Sequence, residues 1–447
     1  MLEKFDKKAA QLQEETPEDR NRYADFLRVM SILLVVFGHW LVAFIAIENG
    51  VVRAERLLAI VPVTQWLTWL FQVMPVFFFV GGLANAISWD SAQERGESYA
   101  DWIRRRARRL LWPLVPFFLT WIPLAIALDM LGVDTELVIL ASHISLLPLW
   151  FLAAYMCVVT IAPAAYWLHR RLGPWALVIF IGLAIIVDIL FEAGIEWVGW
   201  SNFLWVWGGI HQIGFFWHDD RMPRKSLTAL LLAMASFGIL LFLVYTEVYP
   251  LAMVGTGEID IRTNDSPPSV ALFLLAIGQI GLIFALKKPA ERLLNRARIW
   301  AGVLLLGSRM MSVYIWHMTA MTLIGLALIP TGLFPAPLRV DSTWWLLRIP
   351  WVAILVIALA VLVALFGRFE RPREATPTEG PQRLKGLLVF FSVALTVLGL
   401  ALIVDQGLYA GDGLHGLPYL PLGLFVVGLI GLNVIGPWIF KRDKSED

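Results

Sequence analysis

The chain has 447 residues, of which 59% are apolar and only 16% are charged. Soluble domains carry about 25% charged residues, and here the apolar residues fall in runs of about 20, the length that crosses a bilayer. The composition therefore excludes an ordinary soluble enzyme and indicates an integral membrane protein. The net charge of +1 implies no bulk attraction to nucleic acid, and the single cysteine, Cys157, excludes an intrachain disulfide and a cysteine-rich metal site.

Twelve apolar runs are long enough to cross ~30 Å of hydrocarbon at 1.5 Å per residue. The sequence therefore predicts an all-α, polytopic membrane helix bundle of about 12 transmembrane helices. The sixth run contains Asn202, His211 and Gln212, and the ninth is long enough to tilt or break. The predicted spans are roughly 29–48, 66–88, 110–129, 147–168, 174–191, 198–217, 227–246, 267–286, 301–328, 343–366, 386–404 and 417–440.

Most of the 36 Lys and Arg residues fall in every second connecting segment. This positive-inside bias predicts that both termini are cytoplasmic and that the protein is a multi-pass component of the cell's inner (plasma) membrane. The polar N-terminal segment lacks an apolar core and is not a signal peptide. The predicted domains are a cytoplasmic segment 1–28, a ten-span membrane domain 29–366, a cytoplasmic linker 367–385, two additional transmembrane helices within 386–440, and a cytoplasmic tail 441–447.

Ionisable residues at membrane depth are costly, so they are candidate site residues. His39 follows Arg28 by eleven residues, or three helical turns, which places both on one helix face roughly 16 Å apart. Asp25 falls near the same face. A neutral imidazole near mid-bilayer can accept a proton at physiological pH, as a general base does. The alternative is a histidine bonded to a neighbouring helix and an arginine placed by the charge bias.

The ninth predicted span contains a second pair, Arg309 and His317, with His317 at a depth similar to that of His39. A buried arginine needs a partner, either a bound anion or a carboxylate such as Asp188 or Glu192. The alternative interpretation is a polar contact between helices.

An arginine-rich run precedes the third predicted span and could clamp phosphates with bidentate hydrogen bonds. The alternative is a cytoplasmic helix end that carries the usual cluster of basic residues. Within PVFFFVGGL, Gly81 and Gly82 allow a backbone or a ligand to approach closely. The arginines of the run are Arg104, Arg105, Arg106, Arg108 and Arg109.

His211 and Gln212 form a polar patch in an aromatic segment, where they either line a cavity or pack between helices. His143, His169 and His218 lie at span ends or in loops, as solvated histidines do. The sequence contains no Walker loop and no HExxH, GxSxG or kinase motif, so neither ATP-driven transport nor a serine-hydrolase mechanism is indicated.

Five segments in chain order resemble motifs of the acyltransferase-3 family of membrane-bound acyltransferases. Arg28 and His39 have its Arg-x10-His spacing, and PVFFFVGGL resembles its Phe-rich segment that ends in Gly-Gly. RRRARRLLWP resembles its Arg-x-x-Arg, Leu, Pro motif, best matched by Arg106 and Arg109. Arg105 and Arg108 give a second register, because the stretch before the proline is one residue longer than in the family pattern.

Two later segments complete the resemblance, which covers about residues 22–366. LPLWFLAAYM, with Trp150 and Phe151, resembles the family's Leu-Trp-Phe-Leu element. GSRMMSVYIWHM, with Ser312, Tyr314 and His317, resembles its late Gly-x-x-Ser-x-x-Tyr-x-x-His segment. Many members end in an extracytoplasmic hydrolase-like domain, whereas this sequence has two further predicted spans.

The resemblance implies an O-acyltransferase that moves an acyl group from cytoplasmic acyl-CoA, such as acetyl-CoA, to a hydroxyl of an extracytoplasmic glycan or glycolipid. His39 would be the catalytic base, assisted by Arg28 and Asp25. The arginine-rich run, with Gly81 and Gly82, would bind the donor. No metal and no permanently bound cofactor is implied. The competing hypothesis is a secondary transporter or exporter of a lipid-linked or polar substrate, because twelve spans with both ends inside is also a common transporter plan.

Overall fold

The fold of the protein was determined as a computed structural model, and the structure describes residues 9–18, 20–48, 51–257, 262–370, 382–409, 416–432 and 434. Sixteen helices of eight or more residues are bounded within this part of the chain. They are α1 (Arg22–Val42), α2 (Met74–Glu94), α3 (Tyr99–Leu111), α4 (Leu114–Met130), α5 (Thr135–Leu146), α6 (Leu149–Leu172), α7 (Pro174–Glu192), α8 (Asn202–His218), α9 (Ser226–Tyr245), α10 (Val270–Ala285), α11 (Lys287–Leu294), α12 (Ala297–Gly307), α13 (Met310–Leu328), α14 (Ser342–Phe366), α15 (Gln382–Gln406) and α16 (Tyr419–Gly431).

Shorter elements connect these helices. After α1 the chain forms two paired strands, β1 (Ala43–Glu48) and β2 (Val51–Arg56). The short helices Leu57–Ile60 and Thr68–Phe71 follow, with a 3₁₀ turn between them. The 3₁₀ turns are Pro62–Leu67, Glu196–Ser201 and Gly367–Glu370. The strand pair departs from the all-α expectation, but the fold is otherwise helical.

The predicted membrane character is confirmed in its coarse form. Among the described residues, eight helical segments are long and apolar enough to cross a bilayer, and the number reaches ten if each of two bent pairs counts as one span. The helices α12 and α16 are apolar but shorter than a full crossing. The sixth predicted span is α8, which has 17 residues, most of them buried. Its polar residues are therefore inside the protein.

The first predicted span, 29–48, is shifted in the structure. Helix α1 begins at Arg22, where Asn21 caps it by accepting a hydrogen bond from the Ala24 amide at 3.0 Å, and it ends at Val42. The first two turns contain Arg22, Asp25 and Arg28, which a search for apolar runs cannot recognise as helix. At the other end, residues 43–48 are equally apolar but form a strand.

Two predicted spans are broken in the structure. In place of a single helix over 110–129, α3 and α4 meet at an angle of 42°, and Pro113 precedes the second helix. Proline lacks an amide hydrogen, so it cannot continue the hydrogen-bond pattern of the first helix. The span predicted at 301–328 is divided into α12 and α13, with Ser308 and Arg309 between them. Helix α5 lies in a segment for which no helix was predicted.

The chain forms two compact units. Among the described residues, unit 1 contains those within 1–45, 53–87 and 162–310, and unit 2 contains those within 46–52, 88–161 and 311–447. In unit 1, α9 packs closely on α10. The approach is so close at Gly281 that an added Cβ would lie 2.7 Å from the backbone oxygen of Ala229. Helix α8 packs against α7 and α10.

Unit 2 contains the final pair of helices, α15 and α16, which pack tightly on each other. A Cβ on Gly428 would lie 2.6 Å from the amide nitrogen of Thr396, so glycine is required there for the contact. Helix α15 also contacts α3 and α5, and Phe118 of α4 packs against Phe425 of α16 with ring centroids 5.1 Å apart. The predicted linker 367–385 begins as a 3₁₀ turn, while its residues 371–381, the predicted tail 441–447 and residues 1–8 lie outside the described part of the chain.

Candidate active site

At the start of α1, the Asp25 carboxylate contacts two arginines, one of which is Arg28. Asp25 accepts a hydrogen bond from Nε of Arg20 at 2.7 Å and forms an ion pair with Arg28 one turn away. Both Asp25 oxygens are therefore used to hold guanidinium groups. The ion pair with Asp25 therefore holds the Arg28 guanidinium near the N-terminal end of α1.

His39 lies eleven residues beyond Arg28, in the last turn of α1. At 1.5 Å per residue the helix rises roughly 16 Å between them. The expectation that His39 lies halfway along a span is wrong for this helix, because α1 starts earlier and stops sooner than predicted. The imidazole is half-buried near the point where α1 gives way to β1.

Gly82 of α2 lies where α2 crosses α8. A Cβ on Gly82 would lie 3.0 Å from Cα of Gly214 and still closer to the backbone oxygen of His211. Close to this crossing, Nδ2 of Asn85 lies 2.9 Å from Nε2 of His211, and both residues are about 1% exposed. Because an amide NH₂ donates, Nε2 is the accepting nitrogen of the imidazole. Helix packing thus accounts for Gly82 and a buried hydrogen bond for His211.

Gln212 of α8 belongs to a second buried network. Its Nε2 donates to Nδ1 of His169 at 3.0 Å, and Nε2 of His169 in turn donates to Asp219 at 3.0 Å. The prediction that His169 is solvated is wrong, because its side chain is only 2% exposed. His218, which is part-exposed, lies 3.6 Å from the same carboxylate. These contacts orient both nitrogens of His169, so its ring is a fixed bridge rather than an available base.

Asp188 of α7 is a hydrogen-bond hub. It accepts from Nδ2 of Asn202 at 2.9 Å, from the Tyr249 hydroxyl at 2.6 Å and from the Val270 amide at 2.9 Å, and a guanidinium nitrogen of Arg262 lies 3.9 Å away. Burial, followed by the charge of Asp188, raises the pKa of the Tyr249 hydroxyl, so this group stays protonated and donates.

The proposed pairing of Arg309 with Asp188 or Glu192 is therefore wrong. Arg262 from the loop before α10 contacts both carboxylates and forms an ion pair with Glu192. Arg309 lies in the break between α12 and α13 and is exposed, rather than buried within a span. The break removes the cost of burying its charge.

In unit 2, the arginine-rich run forms helix α3. Ser98 caps the helix by accepting from the Asp101 amide at 3.2 Å. Helical spacing then divides the arginines between two faces. Arg105 is exposed and pairs with Glu97 at 2.9 Å, and Arg109 is exposed, while Arg106 lies over the Trp102 ring at 5.5 Å.

The other two arginines, Arg104 and Arg108, are one turn apart and face inward, with 6% and 7% of their surfaces exposed. Arg104 lies 3.7 Å from Asp101. Nε of Arg108 is buried and has no hydrogen-bond acceptor among the described residues. A buried guanidinium nitrogen without an acceptor is costly and indicates that a ligand oxygen could complete the site. The sequence placed Arg104 in the arginine-rich run, but the family motif did not select it, although its i, i+4 relation to Arg108 is a signal that both share one helix face.

The late motif in α13 is buried in unit 2. Ser312 donates from its hydroxyl to Glu370 at 2.7 Å, and the Tyr314 hydroxyl donates to the Pro148 carbonyl at 2.6 Å. Nδ1 of His317 lies 2.6 Å from the Tyr314 carbonyl. Because a carbonyl only accepts, Nδ1 carries the proton and Nε2 is the basic nitrogen of this fully buried ring.

Aromatic rings surround this part of α13. Phe151 lies 5.6 Å from Tyr314 and 6.3 Å from Trp150, in edge-to-face contacts measured between ring centroids. The Leu-Trp-Phe-Leu element and the late segment are thus neighbours within unit 2. Among the described residues, no group of three His, Cys, Asp or Glu side chains is placed to hold a metal ion.

The fold defines a multi-pass membrane protein with arginine and histidine side chains buried among apolar helices. A family model described as an acyltransferase domain matches residues 21–367, which is more than half of the chain. The protein therefore belongs to the acyltransferase-3 family, and the predicted resemblance is confirmed. Membership of this family implies a membrane acyltransferase activity. No curated protein and no solved structure gave a significant match.

Proposed function

We propose that this protein is an O-acyltransferase of the plasma membrane that transfers an acetyl or similar acyl group from cytoplasmic acyl-CoA to a hydroxyl of an extracytoplasmic glycan or glycolipid. Family membership supports the transfer of an acyl group. The charge bias of the connecting segments supports twelve crossings, with the arginine-rich run on the cytoplasmic side, where acyl-CoA is supplied.

The observation that carries the donor assignment is the inward-facing pair Arg104 and Arg108. Coenzyme A bears phosphate groups, and guanidinium groups bind phosphate oxygens with short, charge-assisted hydrogen bonds. A phosphate oxygen would supply the acceptor that Nε of Arg108 lacks within the described residues. Arg106, whose guanidinium lies over Trp102, adds a third positive charge close by. This inward face of α3 is preferred over the exposed arginines Arg105 and Arg109.

The base assignment rests on His39 and Arg28, which have the family spacing on one helix. The acceptor hydroxyl has a pKa far above 7 and must lose its proton as its oxygen attacks the thioester carbonyl carbon. His39 takes that proton and a new C–O bond forms. The C–S bond then breaks, and the coenzyme A thiolate leaves and recovers a proton. The products are an O-acyl ester and free coenzyme A.

The test uses purified protein in lipid vesicles with radiolabelled acetyl-CoA. His39→Ala should abolish transfer of the label to an acceptor but leave binding of acetyl-CoA unchanged. Arg108→Ala should weaken acetyl-CoA binding by at least tenfold. Arg224→Ala is the matched arginine control, because Arg224 is exposed and its ion-pair partner among the described residues is Asp220, four positions earlier. The control should bind and react as the wild type does.

The acceptor class is tested by mass spectrometry of envelope glycans and lipids from cells with and without the protein. A mass difference equal to one acyl group would identify both the donor group and the acceptor. Normal acylation by the His39→Ala variant would contradict the base assignment. Movement of an unmodified substrate across the membrane without acyl-CoA would instead favour the transporter hypothesis.

A further inference from the structure

Residues 249–257 and 262–269 of unit 1, which the charge bias predicts to be on the outer side of the membrane, are held in a fixed shape by hydrogen bonds. Thr68 accepts from the Met253 amide at 2.9 Å, and the Trp69 indole donates to the Leu251 carbonyl at 2.9 Å. Nδ2 of Asn264 donates to two carbonyls of the same loop at 2.8 and 3.0 Å. The loop is therefore a rigid support for the polar groups that it carries.

Two charged side chains meet at this loop. Nη1 of Arg56, at the end of β2, donates to the Gly255 carbonyl. Its aliphatic stem lies against Gly257, which has a φ of 94° and where an added Cβ would be 3.4 Å from the Cδ and Cγ atoms of Arg56. The Asp265 carboxylate lies close to the same turn, because its Oδ1 would be 3.9 Å from a Cβ added on Gly255. Burial raises the pKa of the Asp265 carboxyl, while the nearby charge of Arg56 opposes that change.

One oxygen of Asp265 is unused. Oδ1 is buried and accepts no hydrogen bond from any residue that the structure describes. A buried acceptor oxygen without a donor is unfavourable compared with one that is paired. The observation indicates a hydrogen-bond donor that belongs to a ligand.

His39 lies in the last turn of α1, within range of the charge of Arg56. Arg56 is close enough for its charge to act on the imidazole, and the helix Leu57–Ile60 that directly follows Arg56 packs against α1. The Phe71 ring packs against α1 at Gly38, the residue before His39. A Cβ added on Gly38 would lie 3.3 Å from that ring. The His39 imidazole, the Arg56 guanidinium and the Phe71 ring thus lie at one end of α1, and the Asp265 carboxylate lies near that guanidinium.

We propose that Asp265 and Arg56 position the acceptor and select one with adjacent hydroxyl groups, as on a sugar ring. The unused carboxylate oxygen of Asp265 accepts from one hydroxyl, and Arg56 donates to its neighbour. This arrangement presents a hydroxyl to His39. The inference rests on the proposed function, in which His39 is the base, and adds two positioning residues that touch the acceptor rather than the acyl donor.

The experiment measures binding of methyl β-D-glucopyranoside to the protein in lipid nanodiscs by saturation-transfer NMR, without acyl-CoA. The key variant is Asp265→Asn. Asparagine keeps the size of the side chain, but the negative charge is lost and an NH₂ group, which donates hydrogen bonds, replaces one of the two accepting oxygens. Glu196→Gln is the matched control, because Glu196 is an exposed carboxylate of another outer segment of unit 1.

We expect the wild type and Glu196→Gln to bind the glucoside equally and Asp265→Asn to lose at least tenfold in affinity. Excess trans-1,2-cyclohexanediol should displace the glucoside, and cyclohexanol, with one hydroxyl, should not. Arg56→Gln provides a second variant, with the same expected loss, should Asp265→Asn give poorly folded protein. Absence of glucoside binding by the wild type, or equal binding by both folded variants, would overturn the inference.

Acetyl-CoA binding and acetyl transfer, measured on the same samples, separate this inference from the proposed function. If acetyl-CoA is bound and consumed while Asp265→Asn and Arg56→Gln bind the glucoside normally, the inference about the acceptor fails alone. If the wild type binds the glucoside but neither binds nor consumes acetyl-CoA, the proposed function fails instead.

Discussion

The crossing of α2 and α8 gives a sharp prediction about packing. In Gly82→Ala the new methyl group would lie 3.0 Å from Cα of Gly214, and closer still to a backbone oxygen, where ordinary contacts between carbon atoms are about 3.5–4.0 Å. The two helices must therefore move apart. Overpacking of this kind costs about 1–3 kcal/mol, and stretching the hydrogen bond between Asn85 and His211 adds about 1 kcal/mol. We expect a total loss of about 2–4 kcal/mol.

The assay is reversible unfolding in mixed micelles with increasing dodecyl sulfate, followed by circular dichroism. Gly182→Ala is the control, since Gly182 is also in a helix of unit 1 but an added Cβ there meets no atom within 4 Å. Alanine is favoured over glycine in helices by about 0.5–1 kcal/mol, so the control should be as stable as the wild type or slightly more so. Equal stability of Gly82→Ala and Gly182→Ala would refute the close approach of α2 and α8.

Three further predictions concern polar contacts. Asp188→Ala should lower the free energy of unfolding by about 3–5 kcal/mol, because several buried donors and a guanidinium lose their acceptor. Tyr249→Phe, which removes one of those donors, should lower it by about 1 kcal/mol. The same unfolding assay checks both variants. Glu370→Ala removes the carboxylate that accepts from the Ser312 amide and hydroxyl, so hydrogen exchange at the first amides of α13 should accelerate, and unchanged protection would contradict this role. The ionised Asp265 carboxylate accepts hydrogen bonds more strongly than the protonated acid, so glucoside affinity should be full above the raised pKa of this group and fall as the pH drops through it. NMR titration should find the loss at a pH above about 4, the ordinary pKa of an aspartate. The Asp265→Asn variant should show no such pH dependence.

Long apolar runs predicted the helices well where local chemistry marks their ends. Helix α7 begins at Pro174 and α14 begins after Asp341, which caps it by accepting from the Trp344 amide, and both starts lie within one residue of the predictions. The start of α1 was predicted seven residues too late, because hydropathy detects apolar residues and the first two turns of this helix contain charged ones. The ninth run was predicted to tilt or break, but hydropathy did not show that the break lies at Ser308 and Arg309.

The candidate site was less predictable, because its polar partners are distant in sequence. The sequence indicated that a buried Arg309 needs a partner such as Asp188, but in the fold Asp188 lies near Arg262 instead. The face of α3 that points inward also depends on what packs against it, so motif matching favoured Arg106 and Arg109 while Arg104 and Arg108 are the buried arginines. The spacing of Arg28 and His39 was informative because both are on one helix.

The hydrogen bond between Asn85 and His211 also bears on how the protein is made. The two residues are separated by 126 positions, so α2 is synthesised long before its partner α8 exists. At about 5–20 residues per second, the ribosome needs roughly 6–25 seconds to cover that distance. During this interval the Asn85 amide must reside in the nascent membrane segment beside lipid, water or insertion machinery. Final assembly of unit 1 therefore waits until well over two hundred residues have been translated.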